Sequence, residues 1–173
     1  MVSNGGSDRP FPVHLWHPPH CGDSEMRIAA DGQWYHQGEL IRRAEMVRLF
    51  SRLLRCEPGG GHVLVTPAER LSIIVDDAPF VARVVESDGQ GSTRQLHFRL
   101  NTGDAVTAGP GHRIHIGDKG QGPRPYLHVR DGLRALLARP VYYDLAGWAL
   151  AEAANPPGLW SNGVFLPLNG GAS

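Results

Sequence analysis

The sequence is poor in cysteine and carries no excess of either charge. Only Cys21 and Cys56 occur among the 173 residues, and they lack CxxC spacing. A disulfide scaffold is therefore excluded, and a reducing compartment is indicated. The 17 basic residues balance the 17 acidic ones, so no global field draws the protein to polymeric nucleic acid or to an anionic membrane. Contact with such a partner would require a local patch of charge.

Long apolar runs and common enzyme signatures are also absent. The apolar stretches are short, and the N-terminus has no basic start followed by an apolar run. We therefore expect no membrane span and no signal peptide, and a cytoplasmic location. No GxSxG, GxxxxGKS/T or HExxH motif occurs. These absences favour a protein that is not an enzyme, and no cofactor is predicted.

Turn-forming residues are plentiful, with 22 glycines and 14 prolines. This content is typical of a folded chain with many turns and is too low for a disordered one. Asp31-Gly32 predicts a hairpin, because this dipeptide favours the positive φ values of a two-residue turn. Helical spacing of polar and apolar residues predicts a helix over 39–55. A second helix is predicted from Pro140 to about Ala154.

Short strands separated by turn residues fill the rest of the chain. The predicted strands are 26–30, 33–36, 62–66, 72–76, 80–86, 94–100, 105–107, 113–116, 126–130, 133–138 and 164–168. Such spacing, without alternation of strand and helix, indicates an antiparallel sheet that curls. The predicted fold class is therefore α+β.

Two stretches of the chain, about a hundred residues apart, show the same order of predicted elements, here called the Asp-Gly echo. Ile28–Gly32 and His128–Gly132 each precede a strand, a helix, a Pro/Gly break and another strand, which either a duplicated unit or coincidence explains. We predict two similar halves, each a hairpin, helix and strand, that form curled antiparallel β-rolls. The expected domains are an extended arm at 1–20, an N-terminal half at 21–77 and a C-terminal roll with a helix at 78–170. A ligand would bind by default at the interface between the halves.

Three predicted strands each place a histidine and an arginine opposite their apolar residues. These pairs are His97 with Arg99, His115 with Arg113, and His128 with Arg130. If the strands are neighbours, the side chains form a cationic patch that holds phosphate or carboxylate. A solvated sheet face is the plainer interpretation of the same alternation.

Metal binding is the other alternative at these histidines. His97, His115 and His128 would hold zinc in a small metal-dependent hydrolase, with zinc-bound water as the nucleophile. The arm offers a second candidate cluster, formed by His14, His17, His20 and Cys21. Its three-residue spacing in a Pro-broken segment gives these side chains no reason to converge.

Several strings, taken in order, carry a family resemblance. They are CGDSEMRIAADGQWYHQG at 21–38, RLFSRLLR at 48–55, VTPAER at 65–70, VDDAPF at 75–80 and VRDGLRALLARPVYYDL at 129–145. Together they resemble the bacterial family known as domain of unknown function 1285, from about Pro10 to Leu168. The resemblance implies a duplicated α+β core whose second half is superficially similar to a pleckstrin-homology roll. It implies no activity and no cofactor.

We therefore expect a non-enzymatic binding or regulatory protein of the signal-transduction type. Its ligand would be a small anionic or nucleotide-like molecule, or a protein partner, and an oligomer is compatible with the sequence. The expected ligand-binding residues are Arg99, Asn101, Arg130, Arg139, Asp76, Asp77, His97, His115 and His128.

Overall fold

The computed structural model describes residues 11–19, 21–118, 120 and 122–169. The chain divides into two compact units, the first ending at Asp76 and the second beginning at Asp77. No helix among the described residues is long and apolar enough to cross a membrane. The first ten residues of the predicted arm lie outside the described part of the chain.

The first unit is a six-stranded sheet with one helix. Its elements are β1 Cys21–Ile28, β2 Trp34–His36, β3 Glu39–Leu40, α1 Ala44–Ser51, β4 Leu54–Cys56, β5 His62–Val65 and β6 Arg70–Val75. The strand order is β3-β2-β1-β6-β5-β4. All neighbours are antiparallel except β1 and β6, which run parallel.

The second unit has another six-stranded sheet, followed by a helix and a hairpin. Its elements are β7 Phe80–Asp88, β8 Gln95–Leu100, β9 Ala105–Thr107, β10 Ile114–Asp118, β11 Pro123–Arg130, β12 Leu133–Leu137, α2 Arg139–Glu152, β13 Gly158–Ser161 and β14 Val164–Pro167. The strand order is β10-β11-β12-β7-β8-β9, and β13 pairs with β14 alone. Here β7 and β12 form the parallel pair.

The two sheets share one connectivity, which confirms two similar halves of α+β class. In each sheet the first and the last strand in sequence lie side by side at the centre and run parallel. The second and third strands extend the sheet on one side of this central pair, and the fifth and fourth extend it on the other side. The correspondence differs from the Asp-Gly echo. Asp31-Gly32 joins the first and second strands of its sheet, whereas Asp131-Gly132 joins the fifth and sixth. Asp-Gly suits any tight hairpin, so it does not identify equivalent strands.

The first helix is shorter than its periodicity predicts. It spans Ala44–Ser51, whereas residues on both sides of it are strands. Glu39–Leu40 pairs with β2, and Leu54 pairs with Leu64 of β5. Leu54 is buried in this pairing. Tertiary pairing therefore overrides helical periodicity at both ends, as is common for weak local preferences.

Each unit has its own apolar core. The largest buried side chains of the first unit include Ile28, Trp34 and Leu54, and those of the second include Phe80 and Phe98. Successive strand residues point to opposite faces, so Trp34 is buried while the next residue of β2, Tyr35, lies on the other face.

Residues 11–19, here called the arm segment, lie against the first unit. Val13 packs with Val63 and Val65, and Phe11 and Trp16 pack against this cluster. One Nη of Arg55 donates to the carbonyl oxygens of Val13 at 3.2 Å and Trp16 at 2.8 Å. A single guanidinium therefore holds two points of the arm segment.

Replacing Arg55 by alanine should release the arm segment. The free energy of unfolding is expected to fall by about 1–3 kcal/mol, because the two hydrogen bonds to the arm segment and the ion pair with Glu57 are lost. Urea denaturation measures this change, and acrylamide quenching of tryptophan fluorescence should increase as Trp16 becomes exposed. Arg42→Ala removes an exposed arginine and serves as control. Equal behaviour of the two variants would show that Arg55 does not hold the segment.

Candidate functional site

The structure does not bring the three histidine strands together. His115 and His128 lie on the neighbouring strands β10 and β11, whereas His97 lies on β8, separated from β11 by β12 and β7. The sheet consists of two triplets of strands, β7-β8-β9 and β12-β11-β10, which are joined by the pairing of β7 with β12. The outer strands of one triplet therefore lie far from those of the other. The patch predicted from alternation therefore divides into two parts.

His128 is engaged at both ring nitrogens. Its Nδ1 lies 2.7 Å from the carbonyl oxygen of Gly111, and the backbone N–H of Gly132 donates to Nε2 at 3.0 Å. These two bonds assign a neutral ring with the proton on Nδ1. His128 thus supports the Asp131-Gly132 turn, whose φ values of 47° and 81° are positive as predicted.

Arg130 does not share a face with His128. The register shifts between these residues, so that His128 lies opposite Arg134 and Arg130 lies opposite Leu133. Such a bulge reverses the alternation of side chains. The Arg130 guanidinium lies 5.4 Å from the ring centre of Phe80. Burial lowers the pKa of this guanidinium below its ordinary value.

The candidates on β8 lie on or beside one small surface. His97 Nδ1 is 2.8 Å from the hydroxyl oxygen of Thr107, and Arg99 is exposed. The cavity that they line has a volume of about 30 Å³, which is too small for an organic ligand. Asn101 accepts the N–H of Val81 at 3.0 Å and donates its own N–H to the Val81 carbonyl at 2.8 Å. Asn101 therefore contributes to the strand pairing.

The two adjacent aspartates have different partners. Asp76 belongs to the first unit, where its carboxylate accepts from Nε of Arg27 at 2.9 and 3.0 Å and from Nη2. The hydrogen bonds from Arg27 hold the pKa of Asp76 below its ordinary value. Asp77 belongs to the second unit and accepts from the Tyr126 hydroxyl at 2.6 Å and from Nη2 of Arg124. Their side chains therefore diverge.

Asp77 holds Arg124 beside a cavity at the start of α2. The Asp77 side chain is only 6% exposed, and Arg124 Nε also donates to the Tyr126 hydroxyl at 3.3 Å. Hydrogen bonds from Arg124 to Asp77 and Tyr126 raise the pKa of the guanidinium. Arg124 is therefore a fixed cation whose charge Asp77 balances.

The cavity itself measures about 250 Å³. Arg124 and Arg139 line it together with Tyr142, and Pro123, Pro125 and residues 136–138 complete its wall. Arg139 is exposed at the first position of α2. The first turn of α2 contains no acidic residue, and its N-cap side chain makes no hydrogen bond. A cation at this end opposes the helix dipole, so an anion here would relieve that repulsion.

Of the predicted ligand-binding residues, Arg139 lines this cavity and Asp77 contacts Arg124. Arg124 itself is not among the residues predicted from the sequence. The sequence predicts that the strand containing it begins at Tyr126, because residues 119–123 have the composition of a turn. β11 in fact begins at Pro123. The available signal was the alternation of Arg124, Tyr126 and His128, which continues across Pro125.

The described residues hold no group of three or more histidine, cysteine, aspartate or glutamate side chains placed to bind a metal ion. His97 is separated from His115 and His128 by the two strands β12 and β7. Of the arm cluster, His14, His17 and Cys21 are described, and His20 lies outside the described residues.

Comparisons with known proteins identify one family along the chain. The sequence model "Domain of unknown function (DUF1285), N-terminal domain" matches residues 11–78, and "Protein of unknown function (DUF1285), C-terminal domain" matches residues 79–168. The boundary between the two matches falls close to the boundary between the two units. No curated protein matches the chain.

Two crystal structures of DUF1285 family proteins are similar to this one. The protein from Silicibacter pomeroyi DSS-3 is 47% identical, with a TM-score of 0.83 over 94% of this chain and 88% of that one. The protein from Shewanella baltica OS155 is 25% identical, with a TM-score of 0.56 over 70% of this chain and 90% of that one.

Substitution of His128 by phenylalanine should destabilise the second unit. We expect a loss of about 1–2 kcal/mol in the free energy of unfolding, because the bonds to Gly111 and Gly132 are removed. His115→Phe changes an exposed histidine on the neighbouring strand and is the matched control. Urea denaturation of the two variants gives the comparison. A loss in His115→Phe as large as in His128→Phe would contradict the assignment of His128 to the turn.

The ion pair of Asp76 should contribute to stability only while the carboxylate is ionised. Its pKa is lowered in the folded state, so its contribution is present above the unfolded value of about 3.8. It is lost as the pH falls through the lower folded-state pKa. Asp76→Asn should therefore reduce the acid sensitivity of unfolding, measured by urea denaturation between pH 7 and pH 2.5. Asp144→Asn, at an exposed position of α2, should leave that sensitivity unchanged; an identical profile for both variants refutes the contribution of Asp76.

Proposed function

The chain belongs to the DUF1285 family, and because that family is described as one of unknown function, we propose a function from the site itself. We propose that the protein is a non-enzymatic binding protein whose ligand is a small molecule bearing a phosphate or carboxylate group. The ligand binds in the cavity at the start of α2. The observation that carries this proposal is that Arg124 and Arg139 line the same cavity.

Unused hydrogen-bond donors support an anionic ligand. Nη2 and Nε of Arg124 donate to Asp77 and Tyr126, whereas its Nη1 donates to no other described residue. The guanidinium of Arg139 donates to none of the described residues either. Phosphate and carboxylate groups match such paired N–H donors in geometry and charge.

The charges around the cavity leave one positive charge in excess. Asp77 balances Arg124, and no carboxylate pairs with Arg139 among the described residues. The fixed Arg124 gives orientation at little entropic cost, since its side chain is already held in place. The exposed Arg139 supplies the second cationic contact to the anion.

The size and walls of the cavity limit the ligand. A volume of about 250 Å³ lies just below the range of about 300–1,000 Å³ that is usual for ligand cavities. Its lining is mostly polar, and Pro123, Pro125 and the ring of Tyr142 supply part of the apolar surface. A single charged group with a short organic body therefore fits best.

A regulatory role would act through α2. The cavity is formed jointly by β11, by the end of β12 and by the first turn of α2. A ligand that contacts all three stabilises the packing of the helix on the sheet. Ligand occupancy would therefore change the exposure of the α2 surface, which is the kind of change that a signalling protein transmits.

Inorganic phosphate and succinate are suitable probes for this site. We expect either anion to raise the Tm of the wild-type protein, and a ligand at 100 times its Kd stabilises the fold by about 2.7 kcal/mol. Arg139→Ala should abolish this gain and Arg139→Lys should reduce it, since lysine lacks paired donors. Added sodium chloride should weaken binding by screening.

Arg99→Ala is the control, because it removes an exposed arginine from the same sheet outside the cavity. It should retain the full response to both anions. Stabilisation that persists in Arg139→Ala, or that is absent from the wild type, would refute the proposal.

A further inference from the structure

A second cavity lies at the opposite end of α2. Its volume is about 540 Å³, within the range usual for small-molecule sites. The last turn of the helix, the segment 90–92, Arg94 and Trp160 form its wall. It shares no lining residue with the anion cavity. An occupant of this cavity would therefore be recognised by different chemistry.

Two indole rings line this cavity. Trp148 of α2 is half-buried, and its ring centre lies 5.7 Å from the guanidinium carbon of Arg94. Trp160 of β13 is 38% exposed and packs edge-on against Phe165, with ring centres 5.5 Å apart. Both rings are therefore held by neighbours while presenting surface to the cavity. Fixed, partly exposed indoles are stacking platforms for flat rings.

The polar groups of the cavity nearly cancel in charge. Arg94 is only 9% exposed at its side chain and donates Nη2 to Oε1 of Glu152 and Nη1 to the Ser87 hydroxyl. The backbone N–H of Gly91 approaches the same Oε1 at 3.4 Å. A ligand with a full charge of either sign would therefore gain little here.

Glu152 nevertheless keeps one strong acceptor. Its Oε2 accepts no hydrogen bond from the described residues, and its side chain is 25% exposed. Arg94 Nε is buried without an acceptor among the described residues. An ionised oxygen at the wall of an aromatic cavity selects for a ligand that carries an N–H donor.

From these observations we propose that this cavity binds a nucleobase. The base is an uncharged planar heteroaromatic ring that stacks on Trp160 and Trp148. Its amino or ring N–H group donates to Oε2 of Glu152. Neutrality matches the balanced Arg94–Glu152 pair, flatness matches the indoles, and the N–H donor matches the open carboxylate oxygen.

Nucleoside titration of the full-length protein tests this proposal. Adenosine, guanosine, cytidine and uridine are added while tryptophan emission is recorded with excitation at 295 nm, and ribose is the blank. Stacking on Trp148 and Trp160 should give saturable quenching by at least one nucleoside. Trp34 is buried in the first unit and supplies emission that should not respond. The nucleosides carry no phosphate, so the result is independent of the anion cavity.

Variants identify the groups involved. Trp160→Ala should weaken binding of the quenching nucleoside by about tenfold or more, and Glu152→Gln should weaken it because the acceptor is replaced. If adenosine is the nucleoside that binds, N6,N6-dimethyladenosine should bind the wild-type protein more weakly, because methylation removes the amino N–H donors. Leu150→Ala, an exposed position on the same helix outside the cavity, should bind as wild type does.

Two results would overturn the proposal. One is the absence of saturable quenching by all four nucleosides at millimolar concentration. The other is binding that is unchanged in both Trp160→Ala and Glu152→Gln, with circular dichroism confirming that the variants are folded.

Discussion

The parallel pairing of the first strand with the last is the constraint on which each half of this protein depends. In the second unit Ala135, Leu136 and Leu137 of β12 lie beside Phe80, Val81 and Ala82 of β7. Each triplet of strands alone would be a small antiparallel ribbon with two open edges, and the unpaired N–H and C=O groups of an open edge can pair with other chains. Joining the triplets makes a six-stranded sheet with one continuous apolar face. The cost is closure of a long loop, since these strands are about fifty residues apart in sequence.

The same pairing positions the chemistry of the second unit. Asp77 lies three residues before the start of β7 at Phe80, and β12 ends at Leu137, two residues before α2 begins. Closure therefore brings Asp77 to Tyr126 and Arg124 on β11, next to the first turn of α2. The N–H of Ala138 donates to the carbonyl of Ala82 at 3.0 Å and fixes the point at which the helix begins. The two cavities lie at the two ends of α2. The pairing of β7 with β12 determines where α2 begins, and both cavities therefore depend on it.

Local sequence signals predicted much of the fold and little of the site. Asp31-Gly32 and Asp131-Gly132 each predicted a hairpin correctly from local turn chemistry. Asp131 and Gly132 both have positive φ, whereas of the first pair only Gly32 does. Strand pairing is not local, and no signal in β7 or β12 distinguishes a parallel neighbour from an antiparallel one. For the same reason α1 was predicted too long: Leu54 satisfies helical spacing but is paired with Leu64.

A register shift of one residue changes which side chains share a face of β11. Strand alternation placed Arg130 beside His128, and a bulge between them moves Arg130 against Phe80. Arg124 is not among the predicted residues, because residues 119–123 have the composition of a turn. Arg139 lies at the first position of α2, and Pro140 marks this helix start in the sequence without reference to any neighbouring strand. Residues whose placement depends on local geometry were therefore predictable, whereas those placed by pairing were not.

Hydrogen exchange with and without inorganic phosphate tests most directly whether the closing pair and α2 jointly form the ligand site. Phosphate should slow exchange of the backbone amides from Ala138 to Tyr142, where β12 passes into α2, and should leave those around Arg99 on β8 unchanged. Protection centred on β8, or no change at the start of α2 under saturating phosphate, would contradict this prediction.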